Sequence, residues 1–209
     1  HAQNIAYKIP NAELTAACSI VPAELEYAKQ ELGVTDVYTD YREMLAKADI
    51  DAVVLVTTSS EHCWQIEAAL DAGKHVFCEK PLGVDVAQCK QAEAAVERHP
   101  DLTFMLGFMR RYDKSYAYAK QKIEEGAIGT PYLVKATGID PEAFVDGAIR
   151  FAKTSGGIFL DMAIHDIDLM RWFLGCEAPE VYVMCATFKH PAFKEAGDDE
   201  TGVAVYKFE

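Results

Sequence analysis

The feature that most constrains the fold is the continuous apolar run in DAVVLVTT, residues 51–58. A strand that is apolar on both faces is typical of a parallel sheet with helices on either side. Strand and helix patterns alternate around it. We expect strands at 13–20, 51–58, 75–80 and 102–108 and helices at 22–32, 40–49, 60–73 and 85–100. This order predicts the α/β class, with a doubly wound parallel sheet and right-handed crossovers.

The pattern changes after Lys114, where strands and helices cease to alternate regularly. The sequence predicts a helix at 115–129, a strand at 131–139, an irregular stretch, a helix at 156–174, and strands near 179–187 and 201–209. An exposed connection at 189–200 joins the last two strands. This order predicts an α+β domain with a mainly antiparallel open sheet. We place the two domains at 1–110 and 111–209.

Composition excludes several classes of protein. The chain of 209 residues has a formal net charge of −13 and no basic run, which argues against nucleic acid and anionic membranes as partners. It has no apolar run of about 18 residues that could span a membrane. The six cysteines are scattered without a CxxC motif, which favours a reducing cytoplasm. Because the chain starts without methionine and ends inside an apparent strand, we expect a fragment of a longer protein.

The helix GGIFLDMAIHDIDLMRWF (156–173) is apolar nearly all round, yet Asp161, His165, Asp168 and Trp172 share one face at helical spacing. Buried charges are costly unless they are paired, so this stripe should face a polar network or a ligand. Four readings are open: an N-cap at Asp161, a structural Asp161–His165 hydrogen bond, a metal site, or a cleft in which His165 moves a proton. The apparent helix start at Thr154–Gly157 disfavours the cap, and the lack of a second histidine disfavours a metal.

Two polar clusters follow predicted parallel strands, at the end where ligands bind in such sheets. TTSSEH (57–62) opens a helix whose amide groups suit a phosphate. CEKPLG (78–83) places Lys80 in the crevice, and Pro81 favours extended backbone at that lysine. From position alone, Lys80 is equally consistent with a ligand contact and with a solvated loop residue.

Three motifs in this order, EKPLG, GFMRRYD and SGGIFLDMAIHDIDLMRWFLG, resemble the Gfo/Idh/MocA oxidoreductases, and the last two resemble the inositol dehydrogenase branch. The resemblance covers nearly the whole chain. It implies an N-terminal Rossmann domain and a C-terminal domain whose open sheet forms a dimer or tetramer. It also implies NAD or NADP as cofactor and a cyclitol, another polyol or a sugar as substrate.

The resemblance also assigns roles to residues. Lys80, Asp161 and His165 match the catalytic positions, and Arg110 and Asp168 match positions that border the substrate. The positions that match the cofactor pocket are Ser19, Thr57, Ser59, His62, Glu79 and Lys80. No metal is implied.

The sequence departs from the family pattern in several places. The glycine-rich phosphate loop and its strand are absent. Ser19 stands where an acidic residue usually holds the adenosine ribose, and its lack of charge makes NADP as acceptable as NAD. Thr58 replaces a common proline, and ATGIDPEAF (136–144) lacks the polar pattern of typical inositol dehydrogenases.

The expected reaction oxidises an alcohol. His165 would take the hydroxyl proton, Asp161 would accept a hydrogen bond from the other ring nitrogen, and Lys80 would stabilise the alkoxide. The alternative from a different class is a non-catalytic sensor of nucleotides or sugars on the same fold. Presence of Lys80, Asp161 and His165 together favours the enzyme.

Overall fold

A computed structural model describes residues 1–209, and the chain divides into two compact units. The first unit consists of residues 1–56, 62–78 and 90–105, and the second of residues 57–61, 79–89 and 106–209. The segment that carries Lys80 therefore belongs to the second unit, although it lies early in the chain.

The first half of the chain alternates strands and helices as the sequence predicts. In chain order its elements are α1 (Ala2–Lys8), β1 (Ala16–Cys18), α2 (Pro22–Leu32), β2 (Asp36–Tyr38), α3 (Tyr41–Lys47), β3 (Ala52–Leu55), α4 (His62–Asp71), β4 (His75–Glu79), α5 (Val86–Arg98) and β5 (Phe104–Gly107). The pair β1–β2 is parallel, β3–β4 is parallel, and β5 lies beside β4. Strand β2 was not predicted; it consists of three residues, of which only Val37 and Tyr38 are apolar or aromatic.

Local sequence signals set the helix ends in the first unit. Pro22 occupies the first turn of α2, and Gly33 ends that helix in the left-handed region at φ 72°. Asp40 caps α3 by accepting a hydrogen bond from the backbone N–H of Glu43 at 2.7 Å.

Apolar side chains of helices and strands form the core of the first unit. Ile66 is 0% exposed, and Val53 and Leu55 of β3 are buried with it. Burial alternates along β3, and Val54 is 37% exposed, so the prediction that this strand is covered on both faces is wrong for the first unit as described.

The second half of the chain forms helices and one antiparallel hairpin. Its elements are α6 (Lys114–Glu124), α7 (Val145–Ser155), α8 (Ile164–Leu174), β6 (Glu180–Ala186), α9 (Ala192–Glu195) and β7 (Thr201–Lys207). Strands β6 and β7 pair from Glu180↔Lys207 to Ala186↔Thr201. The whole chain thus combines parallel and antiparallel β-structure, as predicted.

Three predictions for the second half are wrong. The stretch 131–139 contains no strand, since the antiparallel sheet consists of β6 and β7 and residues 131–139 pair with neither. Helix α7 fills what the sequence suggested to be irregular. Gly156 therefore ends α7, at φ 85°, and does not begin the next helix.

That next helix is also not uniform. Residues Phe159–Ala163 form a π-helical turn, and only Ile164–Leu174 are regular α-helix. A π turn has i→i+5 hydrogen bonds, so the wheel of 3.6 residues per turn does not hold across it.

Two further features of the whole chain are the state of its cysteines and the hydrophobicity of its helices. All six cysteines are free. No helix has the combination of length and hydrophobicity that crossing a membrane requires.

Candidate active site

The second unit contains a cavity of about 390 Å³, within the range of small-molecule sites. Mostly charged and polar residues, with Gly138, Ile139 and Met162, line it from separate parts of the chain: Lys80, Arg110, Thr137, Gly138, Ile139, Asp140, Asp161, Met162 and His165. Of the predicted catalytic and substrate residues, Lys80, Asp161, His165 and Arg110 meet here, and Asp168 does not.

Lys80 is fixed by two oxygens of one residue. Its Nζ donates to the backbone carbonyl oxygen of Asp161 and lies 3.1 Å from Asp161 Oδ1. The two side chains are only 19% and 30% exposed. The Lys80–Pro81 peptide bond is cis. The lysine therefore reaches the cavity as a partly buried, paired cation.

Glycine at position 156 allows this part of the chain to pack closely. A Cβ atom there would lie 2.7 Å from Leu160 Cδ1 and 3.3 Å from the carbonyl oxygen of Val84. Its φ of 85° is also unfavourable for other residues. Gly156 thus lets the π turn with Asp161 lie against the segment that follows Lys80.

His165 lines the same cavity, and its Nδ1 atom is buried without a hydrogen-bond partner. Burial, followed by the positive charges of Lys80 and Arg110, lowers the pKa of His165 below its ordinary value, although Asp166 and Glu79 act in the opposite direction. The imidazole is therefore neutral near pH 7 and able to accept a proton.

The predicted hydrogen bond between Asp161 and His165 is absent, because Asp161 contacts Lys80 instead. The physical reason is the π turn, which contains Asp161 and ends immediately before α8. It changes the angular spacing between the two side chains. The alternative of a structural Asp161–His165 pair is wrong for the same reason.

Two consecutive arginines pair with two aspartates of α8. Arg110 Nη1 bonds to Asp166 Oδ1, and the two side chains are 23% and 17% exposed. Arg111 forms a two-point contact with Asp168, with Nε–Oδ2 at 2.9 Å and Nη2–Oδ1 at 2.7 Å. Arg110 lines the cavity, whereas the Arg111–Asp168 pair lies outside its lining.

Asp168 is 3% exposed, and both of its oxygens are used by Arg111. The guanidinium also lies over the Trp172 ring at 5.7 Å, one helical turn further along α8. The resemblance predicted that Asp168 borders the substrate. In this structure Asp168 is not among the residues that line the cavity, so the placement favours a structural role.

Sequence analysis missed Asp166 and the wall formed by residues 137–140. A signal for Asp166 was present, since two adjacent arginines (110–111) match two aspartates spaced by one residue (166 and 168). The wall gave no such signal, because its contribution depends on a loop conformation. No group of three or more histidine, cysteine or acidic side chains could hold a metal ion.

The residues predicted for the cofactor fall into two groups by burial. Ser59 and His62 are 3% and 1% exposed, so their side chains are inside the protein. Thr57, Glu79 and Ser19 retain accessible surface. Thr57 and Ser19 follow β3 and β1, and Glu79 is the last residue of β4. Polar groups at the carboxyl ends of parallel strands have the kinds of donor and acceptor that a dinucleotide requires.

Comparison with known proteins agrees with the family that the sequence motifs predict. Residues 1–108 match the family model "Oxidoreductase family, NAD-binding Rossmann fold", and residues 116–209 match the "GFO/IDH/MocA C-terminal domain". A Bacillus subtilis scyllo-inositol 2-dehydrogenase (NAD(+)) is 34% identical over 209 residues, which is 100% of this chain and 60% of the relative.

Solved structures extend the comparison. Scyllo-inositol dehydrogenase from Lactobacillus casei, solved with NAD(H) and scyllo-inositol, is 48% identical with a TM-score of 0.93, over 100% of this chain and 62% of that one. Myo-inositol 2-dehydrogenase from Lactobacillus plantarum is 41% identical with a TM-score of 0.96, over 100% and 62%. The chain thus spans about 60% of the length of the curated relatives it matches. On the match of both family models across nearly all its residues, the chain belongs to the Gfo/Idh/MocA oxidoreductase family.

Proposed function

We propose that the full-length protein is a dehydrogenase that oxidises a hydroxyl group of a cyclitol, with NAD or NADP as the hydride acceptor. The observation that carries the proposal is one cavity lined by His165, by Lys80 and by Asp161, the residue that holds Lys80 in place. The inositol dehydrogenases of Lactobacillus and Bacillus among its relatives support the substrate class.

The charges of the cavity favour an uncharged substrate rich in hydroxyl groups. Two cations, Lys80 and Arg110, are matched by two carboxylates, Asp140 and Asp161. A balanced lining of donors and acceptors suits vicinal hydroxyls, whereas a carboxylate or phosphate substrate would need an excess of positive charge.

The chemistry divides between two side chains of this protein. His165, neutral because its pKa is lowered, takes the proton from the hydroxyl that reacts. Lys80 lies beside that oxygen and stabilises its developing negative charge, while Asp161 fixes the position of Nζ. The chemistry that a bound nicotinamide would supply is acceptance of the hydride from the same carbon.

Thr57, Glu79 and Ser19 are the residues that we propose for contact with the cofactor. Ser59 and His62 are buried, so their side chains are less suited to direct contact with the cofactor. The division into domains at 110/111, the cytoplasmic location and a dimer or tetramer formed through the C-terminal sheet stay predictions.

A direct test assays the full-length protein with scyllo-inositol, myo-inositol and a panel of aldoses, with NAD and NADP in separate reactions. We expect turnover with at least one inositol and weaker turnover with aldoses. Binding of an inositol without turnover of any substrate would favour the non-catalytic sensor and contradict the proposal.

A further inference from the structure

An exposed carboxylate is held at the carboxyl end of β1 by a serine. Ser19 directly follows β1, and its hydroxyl donates to Oε2 of Glu24 at 2.5 Å. The same hydroxyl accepts a hydrogen bond from the backbone N–H of Val21 at 3.0 Å. With its single proton given to Glu24 and a lone pair used by Val21, Ser19 fixes where the carboxylate lies.

The local backbone supports this arrangement. Glu24 lies in the first turn of α2, and its N–H donates to the Val21 carbonyl oxygen at 3.1 Å. Only the residues from Ser19 to Val21 separate β1 from α2, so the end of the strand and the first helical turn are close neighbours. Glu24 is exposed and makes no ion pair in the structure, so its charge is available to a ligand.

We propose that Glu24, seated by Ser19, is the specificity-determining residue for the dinucleotide and selects NAD over NADP. This inference rests on the proposed function. In dinucleotide-binding folds the end of this strand meets the adenosine ribose, where a carboxylate accepts hydrogen bonds from the ribose hydroxyls and repels a 2′-phosphate. Because serine is uncharged, Ser19 by itself would not repel the 2′-phosphate. The Ser19–Glu24 hydrogen bond restores a negative charge at that place.

A simpler reading makes Glu24 a helix-stabilising residue only, since an acid in the first turn interacts favourably with the helix dipole. The two readings differ in what a change of charge does. The helix reading predicts a small loss of stability and no change in cofactor choice. The specificity reading predicts opposite changes in affinity for the two cofactors.

The test measures equilibrium binding of NADH and NADPH to the full-length protein by the fluorescence of the reduced nicotinamide, with no substrate present. We expect the wild type to bind NADH about 10- to 100-fold more tightly, the fold-change for a hydrogen bond to a charged group. Glu24→Gln should weaken NADH binding and strengthen NADPH binding. Ser19→Ala should change both affinities in the same directions by a smaller factor.

Glu26→Gln is the matched control, since it removes an equal charge from the same helix at a residue that contacts Gln30 instead of Ser19. Its ratio of NADH to NADPH affinity should equal that of the wild type. Equal binding of both cofactors by the wild type, or an unchanged ratio in Glu24→Gln, would overturn the inference. Binding of neither cofactor, or NADH binding without turnover of any polyol, would instead contradict the proposed function.

Discussion

Two polar residues of the helical segment from Phe159 to Leu174, one turn apart, are in opposite states. His165 lines a cavity and has a buried Nδ1 without a partner. One turn later, Asp168 is more deeply buried, and Arg111 satisfies both of its oxygens. Both residues belong to the one polar stripe that the sequence shows.

The difference shows how to distinguish, within a single motif, a residue that acts on a ligand from one that stabilises the fold. Buried polar groups are almost always hydrogen-bonded, so a fully satisfied one is explained by the fold alone. A buried group without a partner, next to a cavity and with a shifted pKa, is instead a candidate for binding a ligand or for catalysis. This criterion favours a functional role for His165 and a structural role for Asp168.

The largest expected effect is the loss of turnover when His165, the residue without a hydrogen-bond partner at Nδ1, is replaced. His165→Ala should lower kcat by about 10²- to 10⁴-fold, the usual contribution of a positioned acid–base group, with little change in cofactor affinity. Steady-state kinetics with an inositol would measure this. The control is His99→Ala, which removes a histidine of the first unit that contacts Asp71 and should leave kcat unchanged. Wild-type turnover in the His165 variant would remove this residue from the mechanism.

For Asp168, whose oxygens are both hydrogen-bonded, the expected effect of a substitution is on stability. Asp168→Ala should lower the free energy of unfolding by about 1–3 kcal/mol, because Arg111 loses both charge-assisted hydrogen bonds. Water reaches the Arg111 side chain, which is 39% exposed, so the loss is smaller than for a fully buried pair. Urea unfolding of the full-length protein would measure it.

Turnover of the folded Asp168 variant should stay close to that of the wild type. The opposite pattern, unchanged stability with lost turnover, would return Asp168 to the substrate site that the family resemblance assigned to it.

A smaller effect concerns a third polar cluster, in the connection between β6 and β7. Glu200, followed by Glu142, raises the pKa of His190 above its ordinary value of about 6.5. Backbone N–H groups, that of Lys189 first, and His190 lower the pKa of Glu200 to about 2. Like the Arg111–Asp168 pair, this cluster is satisfied, so we expect it to affect stability and not turnover.

The sign of each contribution follows from the direction of its pKa shift. The stabilisation from His190 is complete below about pH 6.5 and is lost as the pH rises through its raised pKa. That from Glu200 is complete above about pH 4.5 and is lost as the pH falls toward 2. Hydrogen exchange of residues 187–200, corrected for intrinsic rates, should show less protection at pH 9 than at pH 6. His190→Ala should remove this difference; if the difference persists in that variant, His190 does not hold the connection.

Much of the first unit could be predicted from sequence because local signals determine it. Continuous apolar runs mark β3 and β4, and Pro22, Gly33 and Asp40 mark helix ends. The second unit follows such signals less well. Residues 131–139 have strand composition but no strand partner, and the π turn before α8 cannot be read from hydrophobic periodicity.

The same contrast holds for the candidate site. Motif resemblance led to Lys80, Asp161, His165 and Arg110, which do line one cavity. It did not reveal that Asp161 holds Lys80 and leaves His165 without a partner, because that depends on side-chain angles across the π turn. Nor could Glu24 be assigned from the chain order, since its position depends on a hydrogen bond from Ser19.

The central claim, that His165 acts as a neutral base, is tested most directly by the pH dependence of kcat/KM for inositol oxidation. We expect an acid limb governed by one group with an apparent pKa below about 6.5, since burial and the charges of Lys80 and Arg110 favour the neutral ring. Asp166→Asn should move the limb to lower pH, because Asp166 raises the pKa of His165. An acid limb above pH 6.5, or one that does not move in the Asp166 variant, would contradict the account.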